Sequence, residues 1–319
     1  MKRYNIAIIG AGNVSAFYDN PQSKNMSTHA HAIVLDNRVM LSGFYDIDKN
    51  KAIKATEIWG GKAFNTIEDA VKASDIVFIC VPDRCHGEVL YEVMKYNPVA
   101  IVTEKPLTSS LNEAYKIKKK SMEKEIPIFL NYTRRYVPEF HELHDLIKKG
   151  DFGCFRRGIC YYGKGVLHNG GHIIDLLSFL LSDDIRVKSV SEAIIDFDED
   201  DPTLNVSLTI GDGSCDLVGV DCRNVTIFEL DLLFENARLR ILDNGTVIEH
   251  YTVNESKDFA GYRNYYLEKT IKTSWMPVVP GLLNNVINNI ENNETIWCGV
   301  DEGIKVLEIN ELIKRKKNT

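Results

Sequence analysis

The stretch YNIAIIGAGNVS, residues 4–15, decides the fold of the N-terminal half. Its first six residues, Tyr4 to Ile9, form an isoleucine-rich apolar run of strand length, the mark of a strand buried on both faces. A glycine turn follows at once, with Gly10, Gly12 and Ser15 in the places of a G-x-G-x-x-G pattern. In such a turn the first glycine makes the bend. The second lets the backbone approach a pyrophosphate at a helix N-terminus. Ser15 stands where the third glycine would be and is still small enough for close packing of helix on strand. Gly10, Gly12, Asn13 and Val14 are thus candidate cofactor contacts. Alone the pattern is weak, so the flanking sequence has to carry it.

Val39 to Tyr45 is a second strand-like run, and Asp46 ends it. A carboxylate there accepts hydrogen bonds from the adenosine ribose hydroxyls of NAD and repels the 2′-phosphate of NADP, so NAD is expected over NADP. The interval from the glycines to Asp46 exceeds the usual ~20 residues. A polar insertion, DNPQSKNMS at 19–27, between two helical pieces accounts for the excess. Two more strands read as DIVFICVP (75–82) and VAIVTEKP (99–106), with helix-like segments at 66–73 and 86–95. Strands alternating with helices predict a doubly wound parallel sheet, whose ligands bind outside the carboxyl ends of the strands. The other residues at those ends are Val81, Pro82, Asp83, His86, Glu104 and Lys105, all candidate cofactor contacts. For His86 a helix-capping role fits as well.

A chain of 319 residues exceeds the size of a single core, so two domains are expected, at 1–130 and 131–319. The pattern changes to period two in the second half. Val206, Leu208 and Ile210 alternate with polar residues, as do Phe228, Leu230 and Leu232. Asn244-Gly245 marks a hairpin turn, so an antiparallel sheet with one buried face is predicted. Helices are expected over 281–291 and 301–314. FDEDDP at 197–202 reads as an acidic turn. The net charge of -7 argues against nucleic acid as a partner. No apolar stretch is long enough to span a bilayer. Seven cysteines without a C-x-x-C pair do not make a disulfide framework, which points to a reducing, cytoplasmic setting.

GVLHNGGHIIDLL, 165–177, concentrates polar chemistry in an otherwise apolar stretch. His168, His172 and Asp175 fall at i, i+4 and i+7, so one continuous helix would bring them together as metal ligands. The glycines at 170 and 171 argue against that helix and would instead let a substrate approach the backbone. No metal is therefore expected. Ile174, Leu177 and Leu181 have helical spacing, which predicts a helix starting near His172. Asp175, one turn on, would orient the His172 ring. Asn131 and Arg135 either line the site or pair locally; Tyr161, Tyr162 and Lys164 precede the key turn.

Taken together, GAGNVS, DID (46–48), VPDRCHGE (81–88), EKP (104–106), NYTRRYVP (131–138), GGHIID (170–175) and CGVDEGIKVLEI resemble the Gfo/Idh/MocA oxidoreductases, nearly end to end. The resemblance implies an α/β protein: an N-terminal NAD(P)-binding Rossmann domain, then an α+β domain with a large, mostly antiparallel sheet. It implies a lysine near the nicotinamide, matched by Lys105, and a histidine acting on the substrate hydroxyl, matched by His172. Many relatives carry aspartate four residues before that histidine; here His168 stands in its place. Oxidising a secondary alcohol needs a base for the hydroxyl proton, and histidine titrates near neutrality. His172 is thus the expected proton shuttle and Lys105 the polarising partner, with His168 and Asp175 assisting. Arg135, Tyr162, His168 and Asn169 are candidate substrate contacts. The expected activity is NAD-dependent hydride transfer at a CH–OH group of a sugar, an activated sugar or a polyol, in a homodimer or tetramer paired through the C-terminal sheet. An NAD-using glycosidase and a non-catalytic sensor are the rivals.

Overall fold

The N-terminal strand β1 (Tyr4–Ile9) is flanked by β2 (Val39–Tyr45) and β4 (Ile76–Ile79). β3 (Lys62–Ala63), β5 (Ala100–Thr103) and β6 (Ile128–Leu130) complete a six-stranded sheet of order β3-β2-β1-β4-β5-β6. Every pairing in it is parallel. Ile6, Ile8, Ile76, Val77, Phe78 and Ile79 are fully buried. Each contributes roughly 1.5–3 kcal/mol on burial, so the sheet's centre is the core of this unit. The chain order reverses between β1 and β4, which makes the end of β1 the switch point where such sheets bind ligands. The connecting helices are α1 (His29–Leu35), α2 (Lys49–Trp59), α3 (Ile67–Lys72), α4 (His86–Met94) and α5 (Leu111–Lys124). Side-chain oxygens of Thr28, Asp48, Thr66 and Ser110 cap four of them.

The structure, a computed structural model, describes residues 3–181, 184–274 and 278–317. The chain divides into two units, Met1–Tyr136 with Met276–Lys305 and Val137–Trp275 with Val306–Thr319. The second unit starts with α6 (Pro138–Lys149) and β7 (Phe155–Tyr162), followed by α7 (Gly170–Leu180). Next come β8 (Ile185–Ile194), β9 (Thr203–Ile210), β10 (Gly213–Gly219) and β11 (Phe228–Phe234). β12 (Ala237–Leu242), β13 (Val247–Glu255) and β14 (Arg263–Lys272) finish an eight-stranded sheet. Its order is β14-β13-β12-β11-β7-β10-β9-β8, antiparallel except between β7 and β10. The alternating residues Val206, Leu208, Ile210, Leu230 and Leu232 are all buried. Asn244 takes a left-handed φ of 58° in the β12–β13 turn.

The expected division at 130/131 misses a returning segment. α8 (Val278–Asn292) and the loop after it cluster with the first unit, and α9 (Val300–Lys317) runs on into the second. Local bonds explain it. The Leu130 N–H donates to Cys298 O at 3.0 Å, continuing past the edge of β6. Tyr136 donates to Leu130 O at 3.1 Å and stacks on Trp297 at 6.1 Å.

Candidate active site

The glycine turn is held from three sides. Gly10 has φ +96°, and its N–H donates to Tyr45 O at 2.7 Å. A Cβ there would lie 2.4 Å from Cys80 O, so only glycine fits between β1 and β4. Ser15 does more than stay small: its fully buried hydroxyl donates to Gly10 O at 2.7 Å and accepts the Gly12 N–H at 2.8 Å. Asp46 accepts the Ala11 N–H at 2.7 Å on one oxygen and the Asp48 N–H at 2.8 Å on the other. A carboxylate offers about four acceptor positions, so Asp46 ties the turn down and keeps capacity for ribose hydroxyls. Asn13 and Val14 are exposed, and a Cβ on Gly12 meets nothing within 4 Å. The turn therefore has an open side at Gly12, Asn13 and Val14.

One expectation changes here. The glycines lead into a five-residue π-turn, Asn13–Phe17, and not into a full helix. The insertion separates this turn from α1. Asp19 folds the insertion back by accepting from Ser27 N–H (2.6 Å) and the Thr28 hydroxyl (2.6 Å), and by pairing with His31 Nδ1 (2.8 Å). Burial pushes the Asp19 carboxyl up, but these bonds outweigh it and hold it below the usual carboxylate range. A single turn has little macrodipole, so local backbone N–H groups are what it offers a phosphate.

Val81, Pro82 and Asp83 follow β4, with Val81 and Asp83 half-buried and Pro82 exposed. His86 is corrected from cofactor contact to clamp. It is fully buried, with Nδ1 2.5 Å from Pro106 O and Nε2 2.9 Å from Val81 O, so neither nitrogen faces a ligand. The clamp ties the loop after β4 to the EKP segment, whose Lys105–Pro106 bond is cis.

Beside Lys105 lies a buried network that the sequence did not disclose. His29, 1% exposed, meets Glu104 Oε1 through Nε2 at 2.6 Å. The Asn131 amide donates to the same oxygen at 2.8 Å. Burial pushes the His29 ring down, but the Cys80 sulfur and the Glu104 carboxylate outweigh it and raise the ring to about 10. Burial likewise pushes Glu104 up, and His29, Asn131 and the Lys105 charge together hold it below the usual range. His29, raised in the folded chain, contributes stability that is whole below 6.5 and is lost as pH climbs through about 10. Glu104, lowered, contributes above its unfolded value and loses its share as pH falls. Urea unfolding is expected to show the wild type losing stability between pH 7 and 10 and His29→Gln losing distinctly less. Equal losses would contradict the ionic pair.

In the second unit, the histidine segment starts at Lys164, whose φ of 68° is left-handed. A π-turn, Gly165–Asn169, leads directly into α7. The helix thus starts at Gly170, and the two glycines sit inside a helical run that was expected to break there. Asp201 is the reason: its carboxylate accepts the Leu167 and His168 N–H groups, each at 2.8 Å. Burial pushes the Asp201 carboxyl up against those bonds. The acidic turn is therefore the platform of the segment. Gly170 is buried, with Tyr162 3.0 Å from where its Cβ would stand, so its smallness serves packing and not substrate approach. His172, His168 and Asn169 are half-buried, while Asp175 is 1% exposed. The His168 ring lies 4.8 Å from Phe197.

Two substrate contacts are corrected. Tyr162 is fully buried; its hydroxyl donates to Leu204 O at 2.7 Å and accepts the Leu204 N–H at 3.0 Å, which makes it a core tie. Arg135 is 7% exposed, with Nη1 3.4 Å from Trp297 O, and is held inside the first unit. Among the described residues no group of three His, Cys, Asp or Glu side chains is arranged to hold a metal ion.

The family model GFO_IDH_MocA, described as an oxidoreductase family with an NAD-binding Rossmann fold, matches residues 4–132. Glucose-6-phosphate 3-dehydrogenase of Bacillus subtilis (strain 168) is 28% identical over 149 residues, covering 46% of this chain and 39% of the relative. Inositol 2-dehydrogenase of Corynebacterium glutamicum (strain R) is 29% identical over 157 residues, covering 48% and 43%. The chain thus spans about two fifths of the length of these curated relatives. The solved structure of UDP-N-acetylglucosamine 3-dehydrogenase from Acidithiobacillus ferrooxidans is similar over 99% of this chain and 98% of that one, with TM-score 0.77 and 15% identity, a likeness of fold alone. In sheet order, glycine turn and sequence, residues 4–132 are similar to the NAD-binding Rossmann fold described for that oxidoreductase family.

Proposed function

We propose that the chain is an NAD-dependent oxidoreductase, transferring a hydride between nicotinamide and a secondary hydroxyl or keto carbon of a sugar, sugar derivative or polyol. The observation that carries this reading is the common edge of one parallel sheet: the glycine turn ends β1, Asp46 ends β2, and Glu104 and Lys105 end β5. Bound NAD supplies the hydride acceptor. Asn13 and Val14 present backbone N–H groups to its phosphates, Gly12 leaves room for their approach, and Asp46 accepts from its ribose. Lys105 donates to the substrate oxygen, stabilising the charge that develops as the hydroxyl ionises. His172 takes the hydroxyl proton, and buried Asp175 on the next turn of α7 orients its ring. His168 and Asn169 contact the substrate.

The names of the relatives suggest the probes: glucose 6-phosphate, inositol and UDP-N-acetylglucosamine, each incubated with NAD while reduced nicotinamide is followed by absorbance. Reduction with at least one of them, abolished in Lys105→Ala, is the expected result. Release of free sugar from a glycoside without added NAD, or NAD binding with no turnover of any sugar, would replace the reading. A second copy is placed on the outer face of the eight-stranded sheet, where Ile159, Tyr161 and Tyr265 are exposed beside the Arg238–Asp231 pair. Sedimentation showing a monomer would remove that assembly. No helix among the described residues is long and apolar enough to cross a membrane. All seven cysteines are free thiols, which suits a cytoplasmic enzyme.

A further inference from the structure

The turn before α7 is held along its whole length by one segment, residues 196–203. The Lys164 N–H donates to Asp196 Oδ2 at 2.9 Å, and the Gly165 N–H donates to the Thr203 hydroxyl oxygen at 2.8 Å. The Val166 N–H donates to Pro202 O at 3.1 Å. The Leu167 and His168 N–H groups share the Asp201 carboxylate, each at 2.8 Å. Five consecutive amides thus find their acceptors in the acidic loop and the start of β9. Loop and turn are fixed against each other, so the side chains they bring together are preset.

Phe197 of that loop is one of them. Its ring centroid lies 4.8 Å from that of His168, tilted by 30°, and Lys164 Nζ lies 4.9 Å from it. The residue is nonetheless 49% exposed. A half-exposed phenylalanine alone carries no message; one locked beside a histidine of the candidate site does. Its ring offers an apolar face on which the C–H groups of a sugar ring pack, while His168 and Lys164 serve the hydroxyls. Charge narrows the ligand further. Asp196, Asp198, Glu199, Asp200 and Asp201 make the loop strongly acidic, and Lys314 and Lys317 line one cavity with Glu199 and Asp200. With Lys164, these lysines offset only part of that charge. A phosphate is repelled from such a rim, whereas hydroxyls can donate to it.

We propose that Phe197 is a specificity-determining residue of the substrate site: its ring stacks on the C–H face of an uncharged sugar or cyclic polyol whose hydroxyls meet His168 and Lys164. The inference rests on the proposed place of His168 in that site, and it narrows the substrate to a ring that is neutral where it meets the acidic loop.

The test is saturation-transfer NMR of ligand binding to the full chain with NADH added, a mixture in which an alcohol does not react. Inositol and glucose are the neutral probes, and glucose 6-phosphate is the anionic one. At least one neutral ring is expected to bind saturably, with its C–H protons receiving the transfer. Its affinity is expected to fall about tenfold in Phe197→Ala and to return within about threefold of the wild type in Phe197→Tyr, which keeps the ring. Urea midpoints of both variants are expected to stay near the wild type, because the side chain is half exposed. Unchanged affinity in Phe197→Ala overturns the proposal, as does a loss that Phe197→Tyr fails to restore. So does binding of glucose 6-phosphate alone, or of none of the three. A Phe197→Ala midpoint far below the wild type makes the residue structural and likewise overturns it. Binding is read without turnover, so the two readings fail separately. Turnover retained in Lys105→Ala sinks the proposed chemistry and leaves the Phe197 contrast standing. Unchanged binding in Phe197→Ala removes the stacking ring and leaves hydride transfer standing.

Discussion

Lys105→Ala is expected to lower kcat by at least about 100-fold on any sugar the chain oxidises, while NAD affinity changes only a few-fold. In the proposed role Lys105 donates to oxygen charge that develops in the transition state, so its loss is expected to fall on kcat more than on cofactor binding. His172→Ala is expected to lose a similar factor for a different reason, the missing proton acceptor. A pH profile separates the two. Raising pH supplies hydroxide that partly replaces the base, and it does nothing for the missing donor. Steady-state kinetics with either variant at wild-type kcat would remove that residue from the chemistry.

Gly10→Ala carries the largest expected cost to folding. A positive φ of +96° costs an alanine about 1–2 kcal/mol. The new Cβ would meet Cys80 O at 2.4 Å, Cys80 C at 2.6 Å and Val81 N at 2.9 Å. All three are backbone atoms of the segment leaving β4, which the Cys80 N–H bond to Ile9 O holds in place, so none can swing aside, and overpacking adds about 1–3 kcal/mol. The sum is a large part of an ordinary domain's stability of roughly 5–15 kcal/mol. Urea unfolding of Gly10→Ala is expected to show a much lower midpoint. Gly12→Ala, whose Cβ meets nothing within 4 Å, is expected to unfold nearly like the wild type and to lose NAD affinity instead. Similar midpoints for wild type and Gly10→Ala would contradict the close passage of β1 past Cys80.

The contrast between these glycines marks what was legible in the sequence. β1 and β2 run over the residues their apolar runs predict, and β1, buried on both faces, writes its length directly into the chain. Glycine spacing and a strand-end acid likewise announce the nucleotide turn. Partners distant in sequence leave no such trace. His29 meets Glu104 from 75 residues away, and the Asp201 carboxylate reaches the His168 N–H across 33. Without Asp201 in view, Gly170 and Gly171 read as a break; with it, the turn before α7 is capped and the helix runs through them. Tyr162 and Arg135 were misread for a related reason. Each has a polar tip that suits a ligand, yet carbonyls at Leu204 and Trp297 had already engaged those tips inside each unit.

The claim beneath all of this is that the carboxyl edge of the six-stranded sheet holds NAD, with Asp46 choosing it over NADP. Calorimetric titration of NAD and NADP into the wild type and Asp46→Ala tests it. Saturable NAD binding, weaker NADP binding, and an Asp46→Ala variant in which that preference collapses about tenfold or more are the predicted results. No binding of NAD, or NADP bound more tightly by the wild type, would contradict it.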